Sequence, residues 1–452
     1  MISFAYELIR TTILYYQGFF FYLSGKGRTL PFERKISQEI ATKFPFQAYA
    51  NDSKELHRFK QHARIHLFTL ASDFYCYDKP FYRKSTYKED LLDNLSNVAI
   101  PGTGLPLSIF MYSKITAYIC VLVVNPICCL IAAIHLWFLT HFQSSITKEY
   151  TNRLFTPNDW FSYWRLNCSI VALHSLLNNT PSGYEMENKW TFLQEGKNRN
   201  VPTSPFLEYP ELVIKNRNIE GGMGIYFYKN STIGGDWIIQ EKIHNSDFVL
   251  SLLPTNPPLS TFRVITQSKA SIHLDRQVKL EDITALSCVF RAGRKNAKTD
   301  HDSILFDVDI ETGIIGGGTT NAHWYKLGLQ HLGRGKWRSF HGEYSTHPDG
   351  EEIFVTGKTI PNIKHLLQLV EDSHFKMCPD VPFAGWDVVL SSNPTVPVCL
   401  LEVNLSCNFF RGTFDVDKYL DFIDESLVKL QKLRIQADEE KKTFQNKNNK
   451  ES

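Results

Sequence analysis

At 452 residues and a formal charge of +2, the chain has room for two or three domains and lacks the basic excess of a dedicated nucleic-acid binder. A hydrophobic share of 43%, with 13% aromatics, excludes a wholly disordered chain. The nine cysteines are odd in number and contain no CxxC pair, which fits a reducing compartment and neither a zinc module nor a disulfide framework.

The first 24 residues are apolar and aromatic, interrupted by Glu7 and Arg10, and no small-residue cleavage site follows them. They read as a helix that touches a membrane or packs on the residues after it, and not as a removable signal peptide. Residues 1–113 together form a mainly helical N-terminal region. Between Lys114 and Lys148 there is no Asp, Glu, Lys or Arg, and 115–142 is long enough to cross a bilayer, which needs about 20 apolar residues. Residues 114–142 are expected to span a membrane or insert in it; the alternative is a buried hairpin broken at Asn125-Pro126. Trp137, His135 and His141 would then suit an interfacial belt.

From residue 155 onward β-branched and aromatic runs alternate with Gly and Pro, the texture of a soluble domain, placed at 155–435. A helix is expected around 159–177, and strands over 212–215, 237–240, 262–266, 304–310, 386–390 and 398–403. The ETG at 311–313 reads as a hairpin turn. Helical spacing returns at 361–375 and 416–434, and the charged, amide-rich tail 438–452 is expected to be disordered.

The chain has no P-loop and no kinase catalytic motif. It has a strand ending in Lys215, followed by Gly221, Gly222, Met223 and Gly224. Glycines let backbone N–H groups approach phosphate oxygens while a lysine supplies a point charge. Further on, Asp387 lies in one expected strand, and Glu402 and Asn404 lie two apart in the next, so the latter pair share a sheet face. Two carboxylates and an amide oxygen are the hard donors that magnesium takes alongside phosphate oxygens. Taken singly, a glycine-rich hairpin with a solvated lysine, or a Glu and Asn on a solvent-facing strand, would look the same.

The ordered set is more specific. A lysine strand and glycine loop, then DWIIQEKI at 236–243, then an arginine strand at 260–266, then D...ExN resembles the ATP-grasp superfamily over roughly residues 155–430. Within it the chain is similar to the sugar-transfer-associated branch, also called alpha-L-glutamate ligase-related. The resemblance implies an α+β fold in which two α+β subdomains grip ATP between antiparallel sheets, here preceded by the membrane-associated helical region. It implies that Lys189, Lys215, the loop Gly221 to Gly224, Gln240, Glu241, Ile243 and Asp247 bind ATP. Asn188 stands where the family has Asp before the first lysine. Arg263 and Lys215 are implied as catalytic, and Asp387, Glu402 and Asn404 as magnesium ligands.

The implied reaction activates a carboxylate, small or sugar-linked, as an acylphosphate with ATP and magnesium and joins it to an amine or similar nucleophile. The enzyme would be membrane-anchored with its catalytic domain facing the cytosol. A nucleotide-binding scaffold without turnover and a small-molecule kinase on the same fold are the competing readings. Two departures bear on the substrate: few residues precede Lys215 within the soluble domain, and LSCNFFRG at 405–412 replaces the usual proline-glycine after the metal motif. Cys407 reads as a small buried residue, and His323 and His347 as structural or acceptor-lining histidines.

Overall fold

The computed structural model describes residues 2–23, parts of 53–92, 115, 119–140, 145–155, 160–177, 183–219, 223–273, 276–300, 303–319, 344–405, 407 and 413–451. Gly221, Gly222, His141 and His323 lie outside the described residues.

Three helices form an N-terminal cluster: α1 (Ile2–Leu23), α2 (Asn125–Leu139), entered through a π-helical turn at Cys120–Val124, and α3 (Ser145–Phe155). Pro126 lies where the π-helical turn passes into α2, and the helix runs on through it, so the Asn125-Pro126 pair does not break a hairpin. Leu8, Tyr15 and Phe19 pack with Ala133, Trp137, Tyr150 and Leu154. Trp137 is therefore a core residue, stacked on Phe4 at 4.3 Å, and not a belt residue. Among the described residues one helix, Leu122–Leu139, is long and apolar enough to cross a membrane, with a mean hydropathy of 2.2.

The rest is mixed α+β with antiparallel sheets. After α4 (Trp160–Leu177) and α5 (Lys189–Asn198), β1 (Glu211–Lys215) and β2 (Ile225–Lys229) pair as a separate hairpin. A six-stranded sheet follows, built from β3 (Thr261–Ser268), β4 (Ile283–Ala292), β5 (Ile304–Val308), β6 (Ile315–Thr319), β9 (Phe383–Leu390) and β10 (Val398–Asn404). Its spatial order is β10-β9-β3-β4-β5-β6. A small pair, β7 (Thr346–His347) and β8 (Gly350–Phe354), precedes α6 (Ile363–Met377), and α7 (Val416–Glu451) closes the chain.

Alternation divides the sheet into two faces. Phe262, Val264, Phe290, Phe306, Trp386 and Val388 belong to one buried core. On that side Trp386 Nε1–H donates to Thr266 Oγ1 (2.8 Å), whose hydroxyl meets His374 Nδ1 of α6 (2.7 Å). Residues of the opposite parity, Arg263, Asp387 and Arg291, share the other face. Towards one end of that face Phe383 packs on Tyr419 and Phe422 of α7, and Tyr419 donates to Asn167 of α4.

Several expectations are corrected. Residues 237–240 are extended but unladdered, joined by single bridges at Trp237 and Gln240, because Gly234 and Gly235 turn the chain before it can extend the hairpin. Residues 283–292 form the longest strand among the described residues, although no strand is expected there. The tail 438–451 continues α7 instead of being disordered; its Glu, Lys and Gln residues are good helix formers and elongate a helix already nucleated by packing. The turn at 311–313 is present, with Gly313 at φ 75° and Asp309 accepting from Glu311 and Thr312 N–H.

Candidate functional site

The polar face of the six-stranded sheet concentrates charge at three neighbouring strands. Arg263 on β3 faces Asp387 on β9, and its Nε and Nη2 donate to the two carboxylate oxygens at 2.6 and 3.0 Å. This bidentate pair is nearly sealed, at 8% and 5% exposure. Arg291 on β4 also reaches Asp387 (3.4 Å) and pairs with Asp300 (3.3 Å), whose other oxygen accepts from Thr261. Gly385, two residues before Asp387, makes the approach possible: a Cβ there would lie 2.6 Å from the Cys407 Cβ and 3.1 Å from Arg263 Nη1.

On the edge strand, Glu402 is Asp387's cross-strand partner and Asn404 is Gly385's. The Asn404 amide donates to Glu402 Oε1 (3.3 Å), and Lys189 Nζ lies 2.8 Å from Glu402 Oε2. Lys189 is delivered by the first turn of α5, whose N-cap is Asn188; that side chain accepts from Trp190 and Thr191 N–H. Asn188 thus positions the lysine by starting its helix.

Burial pushes the Asp387 carboxyl above its usual range, against the pull of Arg263 and Arg291. Glu402 goes the other way: burial raises it, but the Lys189 bond and charge, with help from Arg263 and Asn404, bring it below the ordinary carboxylate value. The two carboxylates are therefore unlike. Glu402 is half-buried and held as an anion, whereas Asp387 is locked between guanidinium groups.

The donor types suit a hard divalent cation, and Glu402 with Asn404 fits one best. Asp387 fits less well, since coordinating a metal would mean surrendering oxygens already bonded to Arg263. Among the described residues no cluster of three His, Cys, Asp or Glu side chains forms a ready metal cage.

The remaining expected residues lie elsewhere. Lys215 ends exposed β1, beside a turn in which Asn216 N–H donates to the Gly224 carbonyl (2.8 Å), with Gly224 at φ 68° and Met223 exposed. Gln240 gives its amide to Ser204 (2.6 Å), and Glu241 N–H donates to Pro205 (3.2 Å). Ile243 lies on the connector between the hairpin and the large sheet, and Asp247 is in the first turn of a short helix capped by Ser246. Cys407 is buried, with its thiol pushed up to about 12 by desolvation. His347 is buried with both ring nitrogens bonded, to the Gly293 carbonyl and the Asp349 N–H, which is a structural role.

Sequence reasoning missed Arg291 and Asp300. The run ITALSCVFRA carried the β-branched and aromatic signal of a strand, and recognising it would have put Arg291 on the arginine face two positions beyond Val289, the partner of Arg263. No protein-family model matches the chain, and no curated protein matches it in a sequence search.

Proposed function

We propose that the chain is a membrane-attached ligase of ATP-grasp type, which uses ATP to activate a carboxylate as an acylphosphate and joins it to an amine or similar nucleophile. The observation that carries this reading is the convergence of Glu402, Asn404, Asp387, Arg263 and Lys189 on neighbouring strands and the adjoining helix start. Phosphoryl transfer to a carboxylate needs placed cations and a metal seat, and no protein nucleophile.

Glu402 and Asn404 would hold magnesium, which when bound neutralises phosphate-oxygen charge. Lys189 would exchange its bond to Glu402 for a phosphate oxygen. Arg263, oriented by its two bonds to Asp387, would turn the remaining edge of its planar guanidinium to the transferred group. Lys215 and the exposed turn after it are suited to approach the nucleotide from the hairpin side, and the 240–247 connector to border the adenosine. ATP and magnesium supply places this face in the cytosol, with the apolar N-terminal helices on the membrane.

The scaffold reading draws its support from Asp387, whose oxygens are already taken by Arg263. Calorimetry with ATP and magnesium, followed by mass analysis of products from mixed carboxylates and amines, separates the readings. Amide products support the ligase, phosphorylated alcohols the kinase, and binding without turnover the scaffold; absence of nucleotide binding ends all three.

A further inference from the structure

Helices α1 and α2 run antiparallel: Phe4 stacks on Trp137, and three turns later the Tyr16 hydroxyl donates to the Leu122 carbonyl at 2.8 Å. Their inner sides meet α3, where the Thr12 and Tyr150 hydroxyls bond at 2.7 Å and those of Thr11 and Thr151 at 3.3 Å. The outer side of α1 exposes Ile2, Tyr6, Ile9, Ile13, Tyr16 and Phe20, spaced by fours and threes as one helical stripe. On α2 the same spacing exposes Ile127, Ile131, Ile134 and Phe138. Tyr16 marks the margin of the first stripe that reaches α2. Glu7 and Arg10 lie beyond the other margin, paired with each other and with Glu55. The two stripes therefore adjoin as one uncharged face, and α3, with Lys148 exposed, lies behind it.

The chain on either side of α2 decides how a bilayer can meet this face. Before α2, Arg58 pairs with Asp417 (2.9 Å), Gln61 donates to Asp421 (2.7 Å), and Arg83 pairs with Glu187 (3.3 Å). Tyr82 also stacks on Tyr184, and Tyr87 is buried in the soluble core. Each of these partners comes after α2 in the chain. A crossing by α2 alone, or by α1 and α2 in turn, would put such partners on opposite sides of the membrane. A crossing would also sink α3, with its exposed lysine, to mid-bilayer depth beside α1, where a charge is costly.

We propose that α1 and α2 lie in the plane of one leaflet as a single embedded face, holding the soluble domain, together with Arg58, Gln61 and Arg83 that pair with it, on one side of a lipid bilayer. Tyr6 suits the interface, with an apolar ring and a hydroxyl that can meet headgroups. This deepens the membrane part of the proposed function and is independent of the reaction at the polar cluster.

The test uses the full chain. It should float with phosphatidylcholine vesicles, and Ile13→Glu with Ile131→Glu should cut the ratio of bound to free protein about tenfold or more while the circular dichroism spectrum is kept. Lys148→Glu, behind the face, should float as the unaltered chain does. In sealed membrane vesicles from cells making the full chain, a membrane-impermeant amine reagent should label exposed Lys84 and Lys242 together or neither. Labelling of one with protection of the other overturns the in-plane arrangement and leaves membrane attachment standing. A chain that stays soluble without lipid, as a monomer or as a dimer covering the face, overturns the arrangement and the attachment together.

Discussion

Glu402 stands opposite Asp387 on the β9–β10 ladder, one residue out of the register that starts at the turn, where Val398 faces Leu390. The slip falls between Leu400 and Glu402, so Leu401 is the extra residue of a β-bulge. Had the initial register continued, Leu401 would face Asp387, and Glu402 would sit opposite Trp386 on the apolar side.

The two carboxylates should respond differently to loss of charge. Asp387→Asn leaves Arg263 buried without its counter-ion and should cost about 3–5 kcal/mol in urea unfolding. Glu402→Gln, half-buried with an exposed lysine partner, should cost about 1 kcal/mol or less yet abolish magnesium-dependent ATP turnover. Equal stability losses would contradict the distinction drawn between them.

Lys189→Ala and Lys215→Ala should unfold at nearly the midpoint of the unaltered chain, since both side chains are largely exposed. Each should weaken ATP binding about tenfold in calorimetry through loss of one charge-assisted phosphate bond. Unchanged affinity in either folded variant removes that lysine from the site.

Gly385→Ala should displace the Arg263 guanidinium and Cys407 together, because the added methyl meets Arg263 Nη1 and the Cys407 Cβ. The expected signature is a turnover loss of about tenfold or more with destabilisation of about 1–3 kcal/mol. A variant with full turnover would mean that Arg263 can move without consequence.

Acid should weaken the fold through two histidines. His174 donates from Nε2 to the Ser271 carbonyl and accepts from the Tyr184 hydroxyl at Nδ1. His374 donates to Val381 and accepts from Thr266, by assignment from the hydrogen-bond network. Burial lowers both from 6.5 to about 4. Above pH 6.5 they are neutral in folded and unfolded chains and contribute no pH dependence. Between 6.5 and 4 only the unfolded chain takes up the protons, so stability falls as pH drops, by about 1.4 kcal/mol per unit for each histidine. Urea midpoints measured from pH 7 to 5 should show this fall, with a shallower slope in His374→Gln.

Some of this architecture is local and therefore written in the chain. The lysine strand, the 311–313 turn, the helices near 160–177 and 363–377, and the shared face of Glu402 and Asn404 follow from periodicity and turn chemistry over a few residues. The apolar composition of 115–142 likewise follows from the sequence alone. Three features needed the tertiary structure. Asp387 faces Glu402 only through a bulge, which no two-residue period announces. Arg291 joins Asp387, distant in sequence, because β3 pairs with both β4 and β9, and Asp300 follows from the loop after β4. Finally, the surroundings of the apolar helix depend on Arg58, Gln61 and Arg83 pairing with the domain that follows it, long-range contacts that local hydropathy does not encode.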